Sequence, residues 1–305
     1  MFKKQIILLV GLFAALAMTS CTRDRGVPGS EKNPLKFLLV PSVDAKLLEN
    51  TAKDIKVYLE KNTPYKYEFN VPNSYVAVVE AFGTKRADIA SLNTFGYIMA
   101  HDRYKTQARI TFIRHGSETY QSQIISRADS KIKVLKDIDK KKFAYVDPAS
   151  TSGYLMPAKL FMEAKIKPAE TVFANKHDNV VMMVYQKQVD AGATFYSPPN
   201  AKGEMEDARR LVLKQYPDVA DKVKIIQLTE PIPNDPIVFR EDLPEEIKET
   251  VINALMTYMG TEEGKKVFGD IYGITGMVRA TDARYDGVRE MLKTLGKSAA
   301  ELSKK

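Results

Sequence analysis

The sequence predicts an α/β protein of two lobes, each a mixed or parallel sheet flanked by helices. Three observations point there. Apolar runs of strand length alternate with stretches of helical spacing from residue 35 onward, the pattern of strand–helix–strand units. The body that carries them is about 270 residues, more than one hydrophobic core usually serves. Polar and aromatic groups also collect just past the strand-like runs, where open α/β sheets hold ligands.

The elements follow in order. Residues 36–40 (Lys-Phe-Leu-Leu-Val) read as a short strand, and Leu47, Leu48, Ile55, Tyr58 and Leu59 then repeat at helical spacing. Residues 67–71 alternate like a strand, and Pro72-Asn73-Ser74 caps a helix carrying Tyr75, Val78, Val79 and Phe82. A short strand at 87–90, a helix at 95–104 and strands at 110–113 and 123–126 complete a first set. The second set has strands at 143–146, 171–173, 191–194 and 223–228. Helices at 155–164, 178–186 and 201–216 lie between them, the last amphipathic. Residues 237–239 begin a return to the first lobe, closed by helices near 245–259, 261–268 and 282–295. Crossovers are expected at 125–127 and 228–239, so lobe 1 is 35–125 plus 237–305 and lobe 2 is 126–236.

The N-terminus predicts export. Lys3 and Lys4 precede an apolar run from Ile6 to Met18, then Thr19-Ser20-Cys21. About a dozen apolar residues are too few for a comfortable membrane span and suit a signal-peptide core. Cys21 is the only cysteine, and it stands where a lipoprotein signal would be cut. Residues 1–20 are therefore expected to be a lipoprotein signal, with Cys21 lipid-modified. The alternative is cleavage after a small residue, leaving a free thiol. Residues 21–34, polar with Gly and Pro, read as a flexible tether. The expected location is a membrane-anchored lipoprotein on the periplasmic or extracellular side.

Composition excludes other classes. The formal charge of +8 falls to +6 when Lys3 and Lys4 leave with the leader. The remaining bases are interleaved with acids, as in residues 204–210 (Glu-Met-Glu-Asp-Ala-Arg-Arg), so nucleic-acid binding is unsupported. A single cysteine rules out an internal disulfide. Three scattered histidines give no zinc spacing, and no cofactor is expected.

The most informative stretch is 143–154, Phe-Ala-Tyr-Val-Asp-Pro-Ala-Ser-Thr-Ser-Gly-Tyr. It reads as a buried strand, a sharp turn at Asp147-Pro148, and the hydroxyls Ser150, Thr151 and Ser152 where a helix begins. Unpaired N–H groups and the helix dipole favour an anion there. No lysine follows Gly153, so this is not a nucleotide-binding loop. A small oxyanion held by neutral dipoles is one reading, and an ordinary helix cap is the other.

Four blocks carry a resemblance. They are Asn73-Ser74-Tyr75 leading to residues 87–90, and Asp147 through Pro157. Lys176-His177-Asp178-Asn179 leads to residues 189–193, and Ile232-Pro233-Asn234-Asp235-Pro236-Ile237 is the fourth. In this order they resemble the phosphonate/phosphite/phosphate-binding proteins of ABC importers, over roughly residues 35–295. The resemblance implies the two-lobed, type II periplasmic-binding-protein fold with the ligand cleft between the lobes. It implies an oxyanion gripped by Ser150, Thr151 and Ser152, aided by Tyr75, Tyr120, His177 and Asp235. Tyr75 is otherwise a half-packed aromatic, His177 a cap and Asp235 a turn residue. Asn93 and Thr94 depart from the family pattern, and a helix cap is their safer reading. His101 and His115 match no motif and are expected at the surface.

Two positions bear on specificity. A carboxylate only accepts hydrogen bonds, so Asp235 tolerates a ligand with P–OH and disfavours a fully deprotonated ion such as sulfate. Relatives that capture aminoalkyl phosphonates carry an acid for the amine near Ser197, where this chain has Phe195-Tyr196-Ser197-Pro198-Pro199. Tyr196 and Ser197 offer a phenol and a hydroxyl there, implying preference for phosphite, phosphate or a small neutral-tailed phosphonate. The implied partners are an ABC permease and its ATPase, with membrane attachment through lipid on Cys21. A membrane-anchored phosphorus-oxyanion sensor is the alternative. A phosphoester enzyme is disfavoured, because Thr151-Ser152-Gly153 lacks a nucleophile-elbow setting and His177 has no evident acid–base partner.

Overall fold

A computed structural model describes residues 26–200 and 202–294. The expected signal segment and Cys21 lie outside the described residues. Residues 26–34, assigned above to the tether, are instead turns joined to the body. Gly29 accepts from the Lys66 N–H at 2.8 Å, and its own N–H donates to Asn33 at 2.8 Å.

The first sheet collects β1 (Leu35–Leu39), β2 (Tyr67–Asn70), β3 (Ile89–Ser91), β4 (Gln107–Arg114), β11 (Pro236–Phe239) and β12 (Ile274–Arg279) in the order β12-β4-β11-β3-β1-β2. The second collects β5 (Thr119–Arg127), β6 (Lys142–Tyr145), β7 (Glu170–Phe173), β8 (Ala191–Tyr196) and β10 (Ile232–Pro233) in the order β10-β5-β8-β6-β7, while β9 (Val223–Leu228) pairs with β5. Both sheets are mixed. β1 runs parallel to β2 and β3, and β6 runs parallel to β7 and β8. Antiparallel strands fill the remainder, including β11 on β3 and β5 on β8.

Strand alternation buries both faces of the first sheet. Leu35, Phe37 and Leu39 of β1 enter one cluster with Ile55 and Leu59 of α1 (Ala45–Asn62), while Leu38 enters another with Val78 and Val79 of α2 (Tyr75–Gly83). That second cluster continues into the other lobe through Ala144, Val146 and Leu155. Helix starts are capped as the sequence expects. The Asp44, Ser74 and Asn93 side chains accept from Leu47, Ala77 and Gly96 N–H groups, the last opening α3 (Thr94–Tyr104).

Three expectations change. The first crossover lies at residues 115–118, not 125–127, because all of β5 belongs to the second sheet. The return crossover is residues 234–235, within the expected interval. The expected helix at 201–216 is absent from the described part of that stretch, which holds only a short 3-10 turn, Ala208–Val212. Local bonds outcompete helix there. The Asn200 side chain accepts from the Lys202 and Glu204 N–H groups, and Asp207 binds the Arg209 N–H and guanidinium. Finally, β10, β12 and the short α-helix Val219–Lys222 were not expected.

Candidate functional site

The hydroxyl-rich segment follows β6 through a turn at Asp147. Asp147 Oδ1 accepts from the Ala149 N–H at 2.8 Å. Residues Thr151–Leu155 then form one π turn that runs into α4 (Met156–Glu163). Ser150 caps it, its Oγ accepting from the Gly153 N–H at 3.0 Å, which leaves the Ser150 O–H to donate elsewhere. Gly153 is required by closeness, since a Cβ there would sit 2.4 Å from Val146 Cγ2 and 2.9 Å from Ser150 Oγ.

A small cavity lies between the lobes. Ser150 and Ser152 line it from the second lobe, with His177 at the start of α5 (His177–Tyr185) and Phe195 at the end of β8. Tyr75, Asn93, Val40 and Ser42 face it from the first. Tyr120 comes from the start of β5 and Asp235 from the return crossover. Six of the seven principal sequence-assigned residues therefore meet at one cavity, together with Asn93.

The others go elsewhere. Thr151 turns its hydroxyl to the first lobe, accepting from the Phe95 N–H at 2.8 Å and Asn93 Nδ2 at 3.1 Å. Thr94 donates to the Pro233 carbonyl at 2.7 Å. Tyr196 and Ser197 do not line the cavity. His101 and His115 are half-buried rather than superficial. His101 Nδ1 lies 2.7 Å from the Thr106 carbonyl, and His115 Nε2 lies 3.7 Å from Glu206.

Arg114 was missed by sequence reading, and it changes the electrostatics. Its guanidinium is buried in the cavity wall, bonded to Asp235 and 4.9 Å from the Tyr120 ring centre. The site is therefore not a cage of neutral dipoles alone but contains a buried, mutually neutralising ion pair. No local signal marks it, because its burial depends on Asp235, remote in sequence. Ser42, Val40 and Phe195 were also missed as cavity residues, although Val40 and Ser42 directly follow β1.

Burial governs titration here. Desolvation, then the Arg114 charge, pushes His177 down to about 3. The imidazole is thus neutral, and Nδ1 has no hydrogen-bond partner among the described residues. Asp235 is pushed up by burial against the pull of Arg114. Its Oδ1 makes no hydrogen bond among the described residues, although the Thr94 N–H lies nearby. Burial also raises Tyr120, beside the Ser152 and Thr151 hydroxyls. Among the described residues, no three His, Cys, Asp or Glu side chains gather to hold a metal.

Neutral donors, one buried cation and one proton-seeking carboxylate around so small a space suit a small tetrahedral oxyanion. Comparisons with known proteins agree in kind. The family described as ABC transporter, phosphonate, periplasmic substrate-binding protein matches residues 37–285. The chain is 29% identical to the phosphate-import protein PhnD of Mycolicibacterium smegmatis over 287 residues, covering 84% of each. It is 30% identical to the phosphonates-binding periplasmic protein of Escherichia coli over 218 residues, covering 68% of this chain and 61% of that one. In fold it is similar to the binding protein of an ABC phosphonate transporter from Pseudomonas aeruginosa (TM-score 0.76, 22% identity, 88% and 92% of the chains covered). PhnD1 of Prochlorococcus marinus, solved with methylphosphonate, is also similar (TM-score 0.73, 18% identity, 87% and 98% covered). The family consists of transport proteins that bind substrates and not of enzymes, and this chain, with its type II two-lobed fold, belongs to it: the periplasmic phosphonate-binding proteins of ABC transporters.

Proposed function

We propose that this protein captures phosphite, phosphate or a small neutral-tailed phosphonate between its lobes and presents it to an ABC permease driven by its ATPase. The carrying observation is the cavity where Ser150, Ser152, His177, Tyr75 and Tyr120 meet the Arg114–Asp235 pair. The serine and tyrosine hydroxyls and the neutral imidazole donate to oxyanion oxygens. The guanidinium supplies charge, and Asp235 Oδ1 accepts from a ligand P–OH. Val40 and Phe195 give the cavity an apolar side that suits a P–H or P–CH₃ substituent.

An aminoethyl tail is disfavoured because the one carboxylate among the lining residues, Asp235, is already paired with Arg114. A buried ammonium without a partner is penalised by several kcal/mol, on the order of the effective cost of burying an ion. We further read Cys21 as the lipid attachment site of an exported lipoprotein, which mass measurement of the mature protein would test through the added acyl mass on an N-terminal Cys21 peptide.

Calorimetric titration with phosphite, phosphate, methylphosphonate, 2-aminoethylphosphonate and sulfate tests the ligand. Saturable binding of at least one of the first three, with sulfate silent, is expected. If none of the phosphorus compounds binds, the reading fails. Tighter binding of 2-aminoethylphosphonate than of phosphite removes the stated preference.

A further inference from the structure

Several hydrogen bonds join the lobes among the described residues, and three of them converge on one turn. The Asn93 amide donates to the Ala149 carbonyl at 2.8 Å and to Thr151 Oγ1 at 3.1 Å, and the Phe95 N–H donates to the same Thr151 oxygen at 2.8 Å. Nearby, the Tyr75 N–H donates to Asp147 Oδ2 at 3.3 Å, and the His177 N–H donates to the Ser42 carbonyl at 3.1 Å. Asn93, Phe95 and Tyr75 lie on the first lobe at the start of α2 or α3.

The chemistry of Thr151 sets it apart from its neighbours. A hydroxyl has two acceptor lone pairs and one donor. Asn93 and Phe95 occupy both lone pairs, and the remaining O–H lies beside the Tyr120 phenol. Asn93 is fixed in turn, because its Oδ1 caps α3 through the Gly96 N–H at 3.2 Å. Both residues are fully or nearly fully buried in this arrangement. Ser150 and Ser152, on either side of Thr151, line the cavity instead.

We propose that Asn93 and Thr151 form the latch of lobe closure: they hold the hydroxyl turn against the first lobe, and although Asn93 also lines the cavity, its amide hydrogens are given to Ala149 and Thr151 rather than to the ligand. The reading rests on ligand capture between the lobes. It adds that affinity is set partly by bonds that exist only when the clamshell is shut. Apparent affinity scales with the population of the closed state, so losing the latch shortens ligand residence without removing an oxyanion contact. Asn93 and Thr151 are positioning residues on this account.

The test measures interlobe distance by pulsed electron resonance. Spin labels are placed at Val57→Cys and Val134→Cys, exposed positions on opposite lobes, in a Cys21→Ser background, with phosphite as the probe. Thr151→Val and Asn93→Ala are expected to lower the closed fraction at saturating phosphite and to speed phosphite release about tenfold. Thr151→Ser keeps both lone pairs and should behave as the parent. Ser150→Ala should weaken binding while leaving the closed fraction at saturation unchanged. Unaltered melting of Thr151→Val separates the latch from a fold defect, and Asn93→Ala gives an independent reading if Thr151→Val does not fold. An unchanged closed fraction in both latch variants overturns the proposal. So does a parent protein that never reaches the closed distance. A parent that closes to the same extent with and without phosphite, and loses that closure in the latch variants, supports the latch while removing the phosphite reading.

Discussion

Arg114 and Asp235 stand 121 positions apart in the chain, yet they form one buried ion pair in the cavity wall, at the ends of the two crossovers between lobes. Their side chains are 4% and 11% exposed. Such a pair gains little net stability, but removing one partner strands the other charge in a poorly solvated place.

Replacing Arg114 with Met is therefore expected to destabilise the protein by roughly 3–5 kcal/mol in denaturant unfolding at neutral pH. The loss should shrink in acid, where Asp235 takes up a proton. A loss below about 1 kcal/mol would mean that the pair is solvated rather than buried.

Asp235→Asn should relax selectivity. With the carboxylate gone, a fully deprotonated tetrahedral ion no longer meets a like charge, an opposition of several kcal/mol at close range. Sulfate affinity is expected to rise by about tenfold or more, read by calorimetry. Unchanged sulfate exclusion would place the discrimination elsewhere.

His177 makes the empty protein acid-sensitive. Its folded value near 3 lies below its ordinary 6.5, so the unfolded chain binds the proton more readily between those values. The associated stability is complete above pH 6.5 and is lost as pH falls towards 3. The loss from pH 7 to pH 5 is about 2 kcal/mol. Asp147 and Asp235, both raised by burial, act in the opposite sense: their contribution is present below the ordinary aspartate value and lost as pH rises. Comparing parent with His177→Gln isolates the histidine, and equal slopes in the two proteins would contradict it.

Gly153→Ala places a methyl group 2.4 Å from Val146 Cγ2. Relief requires the π turn to move, carrying Ser150 and Ser152 with it. A loss of roughly 1–3 kcal/mol is expected from overpacking, with phosphite affinity falling in parallel. A variant with parental melting and parental affinity would show that the turn gives way freely.

Local signals made much of this legible. Apolar runs located most of the strands, and Ser74, Asn93 and Ser150 announced helix starts through their capping chemistry. Ser150, Ser152 and His177 all follow β-strands, where ligand groups are sought. What stayed hidden depends on partners remote in sequence. The burial of Arg114 is intelligible only beside Asp235. The first crossover was misplaced because neither β4 nor β5 says in its own residues which sheet it joins. β12 contains Gly276, which weakens a strand pattern. The stretch after Asn200 has helical spacing, but its side chains capture the backbone first.

The two crossovers run against each other. The Asn234 N–H donates to the Glu118 carbonyl at 3.0 Å, and its side-chain amide donates to Ser117 at 2.7 Å and Phe112 at 3.0 Å. Cross-braced strands resist sliding and shear, so the joint turns about a single axis, like a door on one pin. On the proposed capture of a ligand between the lobes, entry and exit then use the rim farthest from that pin.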